Sequence, residues 1–416
     1  MNITIYVASH RQFDVPPDPM YCPLHVGHAV STKEYGYLAD DTGANISVKN
    51  CYYGELTGLY WIWKNDVQSD YIGLCHYRRF FVDERGKLLT SAQYQEIWTR
   101  YDVVAAVSNT GGQSYYELYK EAHHIKDLEV TGQVLKERYP KFGETYDRLI
   151  YGNRSYTGNL FVMSRELFME YADWLFSILF EVERRIHVED YDDYHKRVFG
   201  FLSEQLLGVW IEAKGLRCLE CRVGMFQEKA ESLELKKTLQ EFMYVEDYAA
   251  AVNYFERMIE KRPDVLLANA DLSGELQNMY QVLTICMQEE QFGIEGLKQH
   301  SCELRQLIPI VKSCEKILGR IWKHEERQQD LEYLEEKHVS WVMCVAVILN
   351  MTELSNEIVP MLNCLAMYFF NHKCYDRVIP FLDYAYGLDQ QDHETKRNLI
   401  TVLEALGESD LAETFR

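Results

Sequence analysis

Ser69-Asp70-Tyr71-Ile72-Gly73-Leu74-Cys75-His76-Tyr77-Arg78-Arg79-Phe80-Phe81 is the stretch on which the reading of this chain turns. Tyr71 to Cys75 is a short, mostly apolar run, the pattern of a strand buried on both faces. It runs straight into His76, Tyr77, Arg78 and Arg79. In an open α/β sheet, ligands sit beyond the carboxyl ends of the strands. Two arginines and a histidine at such an end make a natural clamp for a diphosphate, because a guanidinium fork matches phosphate oxygens and does not lose its charge. The plainer reading is a strand end whose arginines pair with acidic neighbours. The residues alone leave both open.

Working outward, Tyr52 to Asn65 places Leu56, Leu59, Tyr60 and Trp63 at i, i+3, i+4 and i+7, a helix with one apolar face. Glu55 sits near its first turn, where a carboxylate either favours the helix dipole or bonds a ribose or base. Ile3 to Ala8 reads as the first strand, ending at Ser9-His10-Arg11, a place where nucleotide sites often start. Between these, Gln12 to Lys49 reads as loop, broken by Pro16, Pro17, Pro19, Pro23 and Gly27. His25 and His28 have HxxH spacing there; without a helix to align them they read as surface or ligand-facing residues before metal ligands.

Downstream the alternation continues. A helix is expected over Ser91 to Arg100 and a strand over Tyr101 to Val107. Helical stretches fill Ser114 to Tyr151. A strand over Tyr156 to Met163 is entered through Thr157-Gly158-Asn159. A long helix spans Arg165 to Arg185, an acidic loop His187 to His195, a helix Gly200 to Lys214, and a closing strand Leu216 to Arg222. Strand–helix alternation of this kind predicts an α/β sheet domain over residues 1–228. From about Glu231 glycine and proline thin out and helix formers dominate. Residues 229–416 therefore read as an all-α domain of helical hairpins, loosely similar to tetratricopeptide units. Such a domain binds partners, self-associates, or simply caps its neighbour.

The 416 residues are 47% hydrophobic and 26% charged, the composition of a globular protein. The formal net charge of -21 argues against nucleic acid as the main partner, while leaving room for a local basic pocket. With 11 cysteines, an odd number, and no secretory leader at the start, free thiols in a reducing cytoplasm are expected. Cys218 and Cys221 form a lone CxxC, without the second pair a zinc site needs. No run approaches the roughly 18 apolar residues of a membrane span; Trp341 to Leu349 reads as a buried helix.

The strings DDTGANISVKNCYYGELTGLYWIWKN (Asp40 to Asn65) and DYIGLCHYRRFF (Asp70 to Phe81) together resemble the signature of a bacterial glycosyltransferase family. That family was long catalogued as a domain of unknown function and is found in capsule, exopolysaccharide and lipopolysaccharide gene clusters. It is related in kind to GT-A-type nucleotide-sugar transferases, and some members resemble galactofuranosyltransferases that use UDP-galactofuranose. The resemblance covers roughly residues 1 to 225. It implies a UDP-sugar donor, a glycan or lipid-linked acceptor, and a cytoplasmic enzyme, with attachment to the inner face of the membrane left open. The family's late helix, G-F-x-x-E-R-L-L, is here Gly200-Phe201-Leu202-Ser203-Glu204-Gln205-Leu206-Leu207: Glu204 is kept, and Gln205 replaces the usual arginine. The segment at Asn159 resembles the family's Gly-Asn-(Met/Leu)-Phe, which faces the acceptor.

Glycosyl transfer needs the leaving diphosphate stabilised, the acceptor hydroxyl deprotonated and the sugar oriented. Many GT-A enzymes meet the first need with a metal on an Asp-x-Asp motif. None follows Leu74 here, so Arg78 and Arg79 are expected to share or replace the role of manganese or magnesium, with His76 on phosphate. The one similar string, Asp190-Tyr191-Asp192, reads first as a solvated loop. Glu204 is the candidate base of an inverting hexosyl transfer. His10, Lys49, Asn50 and Glu55 are the further candidates for nucleotide and donor, and Asn159 and Arg197 for acceptor or sugar. The rival reading is a non-catalytic nucleotide-sugar-binding scaffold of a polysaccharide assembly complex, kept open by Gln205. A P-loop, a G-x-G-x-x-G turn and a G-x-S-x-G elbow are all missing from the sequence, which argues against kinase, dinucleotide and serine-hydrolase chemistry.

Overall fold

The computed structural model describes residues 1–266, 270–351 and 357–416. The chain divides into two compact units, Met1–Gln227 and Glu228–Arg416. The first is α/β and the second, among its described residues, is all helical.

The strands of the first unit are β1 (Ile3–Ser9), β2 (Tyr21–His25), β3 (Leu38–Ala39), β4 (Tyr71–His76), β5 (Arg79–Phe81), β6 (Val103–Ala106), β7 (Asn109–Thr110), β8 (Arg154–Ser155), β9 (Phe161–Ser164), β10 (Cys218–Cys221) and β11 (Val223–Met225). Its helices are α1 (Asn50–Tyr53), α2 (Leu56–Asn65), α3 (Ser91–Ile97), α4 (Tyr115–Ala122), α5 (Ile125–Arg138), α6 (Gly143–Ile150), α7 (Arg165–Arg185) and α8 (Val198–Ala213). The main sheet runs in the order β10-β6-β9-β4-β1-β2-β3. Within it β9 alone runs against its neighbours, β4 and β6, while β1 lies parallel to both β2 and β4.

β4 explains why its sequence is nearly all apolar. Ile72 and Leu74 point into the core under α2, α7 and α8, and Cys75 belongs to the opposite core with Ile5, Val7 and Tyr94 of α3. Both faces are dry, so strand alternation disappears. Gly73 is needed there for space: a Cβ on it would stand 2.8 Å from Val162 Cγ2.

Four expectations change. The His76–Arg79 run is a tight hairpin rather than an open loop, with His76 paired to Arg79 and β5 returning to pair with β11. Phe80 and Phe81, both buried, pull the chain back into the core. The helix expected over Tyr52 to Asn65 is split: Gly54 takes φ 54°, separating α1 from α2 and turning Glu55 out at the break. The loop-rich segment contains β2, hidden by Pro23. Only Leu24 and His25 pair with β3, so the missing Pro23 N–H costs no hydrogen bond on that side. The strand expected over Tyr156 to Met163 begins only at Phe161, because Gly158 and Asn159 take φ 91° and 47° and cannot continue a strand.

In the second unit, α9 (Ala230–Tyr244), α10 (Tyr248–Lys261), α11 (Glu275–Gln291), α12 (Leu304–Trp322), α13 (Gln328–Glu336), α14 (Trp341–Asn350), α15 (Ile358–Asn371), α16 (Val378–Leu388) and α17 (His393–Leu406) share one continuous apolar core. The end of α9 and α10 form one such helical hairpin, joined at Val245, Glu246 and Asp247. Asp247 caps α10 by accepting from Ala250 N–H at 3.1 Å. Among the described residues no helix is long and apolar enough to cross a membrane.

Candidate active site

The parallel register Ala8↔His76 brings the ends of β1 and β4 side by side. His10 packs edge-on against Tyr77 at 5.6 Å, and the Arg11 guanidinium lies 5.9 Å from the same ring. A local turn fixes Arg11, its N–H donating to Ser9 Oγ at 3.1 Å. Arg11 Nη1, His76 Nε2 and Arg79 Nε are all buried without a hydrogen-bond partner. Arg78 is 6% exposed, and its carbonyl accepts from Phe226 N–H at 3.0 Å. Buried polar atoms are normally paired, so three orphaned nitrogens at one sheet end single it out as the candidate site.

Beside these cations sit two carboxylates. The Gly54 break exposes Glu55, whose side chain does not cap α2. Glu55 Oε1 accepts from Asn159 Nδ2 at 2.6 Å. Asn159, 3% exposed and in the left-handed region, also donates to the Gly200 carbonyl at 3.2 Å and accepts from Ser203 Oγ at 3.0 Å. A non-glycine residue held in that region is a common mark of a functional corner. Glu204 is half-buried on α8, next to Ser203, and the Gly158 amide favours its ionised form. Arg197 lies in the turn before α8, its guanidinium 4.0 Å from where a Gly54 Cβ would stand and 5.7 Å from the Phe201 ring. Arg197, Phe201 and Glu204 thus fall at i, i+4 and i+7, on one helical face.

Electrostatics separates these groups. Burial pushes Glu204 up, the Glu55 charge pushes it further, and Arg79, the Gly158 amide and Arg197 pull back; it ends at about 7. Burial also tends to raise Glu55, but His76, Arg197 and the Asn159 amide outweigh it and leave that carboxyl below its ordinary range. His76 is held down to about 4, first by burial and then by Arg79, Arg78 and Arg197, against the pull of Glu55. At neutral pH the site therefore holds an ionised Glu55, a neutral His76 and a Glu204 poised to take or give a proton.

Of the residues expected from sequence, Glu55, His76, Arg79, Asn159, Arg197 and Glu204 come together, and His10 and Arg78 lie at the same sheet end. Lys49 is engaged elsewhere: it pairs with Glu183 of α7 at 2.8 Å and lies 6.0 Å from the Tyr53 ring. Asn50 braces the backbone, donating to the Gly54 carbonyl at 2.8 Å and to Thr57 Oγ1 at 3.1 Å. Gln205, 1% exposed, accepts from Tyr156 N–H at 2.9 Å and donates to the Arg154 carbonyl at 3.1 Å. It supports the segment leading to Gly158 and Asn159. Arg11 and Tyr77 are the residues that sequence reasoning missed; their place directly after β1 and inside the HYRR run was the available signal.

A divalent ion such as manganese or magnesium does not fit the residues present. Asp192 is committed, accepting from Tyr194 and His195 N–H groups and from His195 Nδ1 at 2.9, 3.0 and 2.5 Å. His28 has both ring nitrogens on carboxylates, Asp41 at 2.7 Å and Glu34 at 3.0 Å. Cys218 and Cys221, three apart on β10, fall in opposite cores and cannot share a ligand. Among the described residues no group of three or more His, Cys, Asp or Glu side chains is placed to hold a metal.

Arginines at one end of the sheet thus lie beside a carboxylate raised to about 7. The chain belongs to the family described as a domain of unknown function (DUF4422), which matches residues 4–215. Among solved structures it is similar to the bifunctional glycosyltransferase WbbM in its apo form, at 29% identity and a TM-score of 0.49. The match covers 55% of this chain and 46% of that one, so the chain spans less than half of WbbM. No curated protein matches.

Proposed function

We propose that the first unit is a GT-A-like glycosyltransferase that moves a hexosyl group from a nucleotide-diphospho-sugar to a hydroxyl of a glycan or lipid-linked glycan. The observation that carries this reading is Glu204, half-buried and poised at about 7, beside the orphaned nitrogens of Arg11, His76 and Arg79. Glu204 takes the acceptor O–H proton as the acceptor oxygen bonds to the anomeric carbon. The bond from that carbon to the diphosphate oxygen breaks, and its electron pair leaves on the diphosphate. Arg79, Arg78, Arg197 and Arg11 stabilise that charge as it develops. Neutral His76 donates a hydrogen bond to a phosphate oxygen. One displacement inverts the anomeric centre. No step runs through a metal.

The family resemblance supports a UDP-linked donor, with UDP-galactofuranose as the finer reading, in cell-surface polysaccharide synthesis. The place of work is the cytoplasm, at the inner face of the membrane where lipid-linked acceptors reside. The helical unit, tetratricopeptide-like in sequence style, serves partner binding or self-association.

The test is thermal stability with UDP and a panel of UDP-sugars, in EDTA and with manganese, followed by transfer assays. A nucleotide that binds only the folded state raises the melting temperature. A UDP shift that survives EDTA, with transfer lost in Glu204→Gln, is the expected result. A shift that needs manganese would move the diphosphate away from the arginines. Binding without transfer by the wild type would leave a nucleotide-sugar-binding scaffold.

A further inference from the structure

We infer that Glu55 is a positioning residue: it holds the Gly158–Asn159 corner and works through Glu204 across it, without touching the donor. The inference rests on the transferase reading, and assigns a division of labour within that site.

The corner is where the two carboxylates meet the same short piece of chain. The Gly158 amide favours the ionised form of Glu204, and the next residue gives its side-chain amide to Glu55 at 2.6 Å while gripping Ser203, the neighbour of Glu204, at 3.0 Å. Gly158 has no room for a side chain. Gly158 takes φ 91°, and a Cβ there would stand 3.0 Å from Arg79 Nη1. Asn159 takes φ 47° and spends its amide on Glu55 and the Gly200 carbonyl, with Ser203 Oγ on its carbonyl oxygen. Glu55 is the one charged group on that amide. Its two oxygens stand 3.9 and 4.0 Å from where a Gly200 Cβ would be, so it lies against the backbone of α8 as well. A carboxylate packed on one helix and clamped by a left-handed asparagine is spent on architecture. A phosphate-facing role also conflicts with its charge, since two anions repel.

The charged and titratable groups that act on Glu204 or feel its charge sit on several elements: Glu55 at the α1–α2 break, Arg79 on β5, Arg197 in the turn before α8, and Tyr115 on α4. His76 of β4 faces Glu55 in turn. Glu55 is the one acid among them, so its charge raises the proton affinity of Glu204, while Arg79 and Arg197 lower it.

The experiment compares full-length wild type, Glu55→Gln and Glu55→Asp. The pH dependence of kcat/KM is measured, and the Glu204 carboxyl is titrated directly by infrared difference spectroscopy, its band assigned with Glu204→Gln. In Glu55→Gln the Glu204 midpoint and the acid limb of the profile are expected to move down by on the order of one pH unit. Glu55→Asp keeps the charge and retains the wild-type limb. A midpoint unchanged in Glu55→Gln overturns the inference, and so does a donor KM raised with the limb unmoved. Should Glu55→Gln not fold, Asn159→Gly suits the left-handed turn and removes the grip on Glu55; it is expected to lower kcat at constant donor KM, and a raised donor KM overturns the inference. The infrared titration needs no turnover. If the wild type transfers no sugar, the transferase reading fails while the Glu55–Glu204 coupling is still read.

Discussion

Lys236 is buried in the helical unit, and carboxylates answer it: Glu228 at 2.7 Å, Asp271 at 2.6 Å and Glu275 at 3.6 Å. Arg320 of the same unit is likewise held by Asp330, and Lys229 by Asp264. Arg79 is half-buried in the α/β unit with its Nε buried and left unanswered, while Glu204 carries its proton near neutrality. The difference separates two uses of buried charge. Where the fold supplies the counter-ion, the charge ties helices together. Where it does not, the charge is open to a ligand, as the proposed transferase site requires.

That contrast breaks or sharpens under mutation. The largest effect is expected from Glu204→Gln, which removes the base and lowers kcat by roughly 10²–10⁴-fold, while a UDP-induced thermal shift stays intact. A variant that still turns over at the wild-type rate would strip Glu204 of its role. Lys236→Ala, in the paired set, strands several carboxylates and is expected to lose about 3–5 kcal/mol of stability in urea unfolding, with donor KM unchanged. Arg79→Ala, in the unpaired set, should do the reverse. Transfer falls roughly 10²–10³-fold, and calorimetry shows stability equal to or above that of the wild type.

A smaller effect concerns pH. Glu204 is raised in the folded state to about 7 from its ordinary value of 4.5. The folded form therefore binds that proton more tightly than the unfolded one. The stability this contributes is full below about 4.5 and lost as pH rises through about 7. Glu204→Gln should then melt higher than wild type at pH 8 and show no such gain at pH 4. The acid limb of wild-type kcat/KM should fall near the same midpoint. The smallest effect is expected from Lys49→Ala. Its pair with Glu183 is half exposed, so stability changes by about 0–1 kcal/mol and transfer stays at the wild-type level.

The sequence carried the large divisions well. An α/β unit followed by an all-α one was legible from the alternation around Tyr71 and the loss of glycine after Glu231. So was the chemical character of the His76–Arg79 run. What it concealed were the reversals of chain direction. β2 was hidden because Pro23 reads as a breaker wherever its partner strand is unseen. The hairpin at Tyr77–Arg78 was hidden because β5 finds its second partner, β11, some 140 residues later in sequence. Lys49 and Asn50 looked like ligands because they sit inside a long specific motif. In the structure these two residues also brace Gly54 and α7. Asn159 was noticed for its neighbours, but its left-handed backbone was legible only as the ambiguous pair Gly-Asn.

β11 also bears on how this protein can be divided. The family match ends at residue 215, yet the strand carrying Arg79 is hydrogen-bonded to Val223–Met225. A fragment cut at the family boundary would discard β10 and β11. It would leave β5 an open edge, prone to pair with another chain, and set Arg79 adrift. Expression of the α/β unit alone, or its transplantation onto another scaffold, has to carry the chain through Met225.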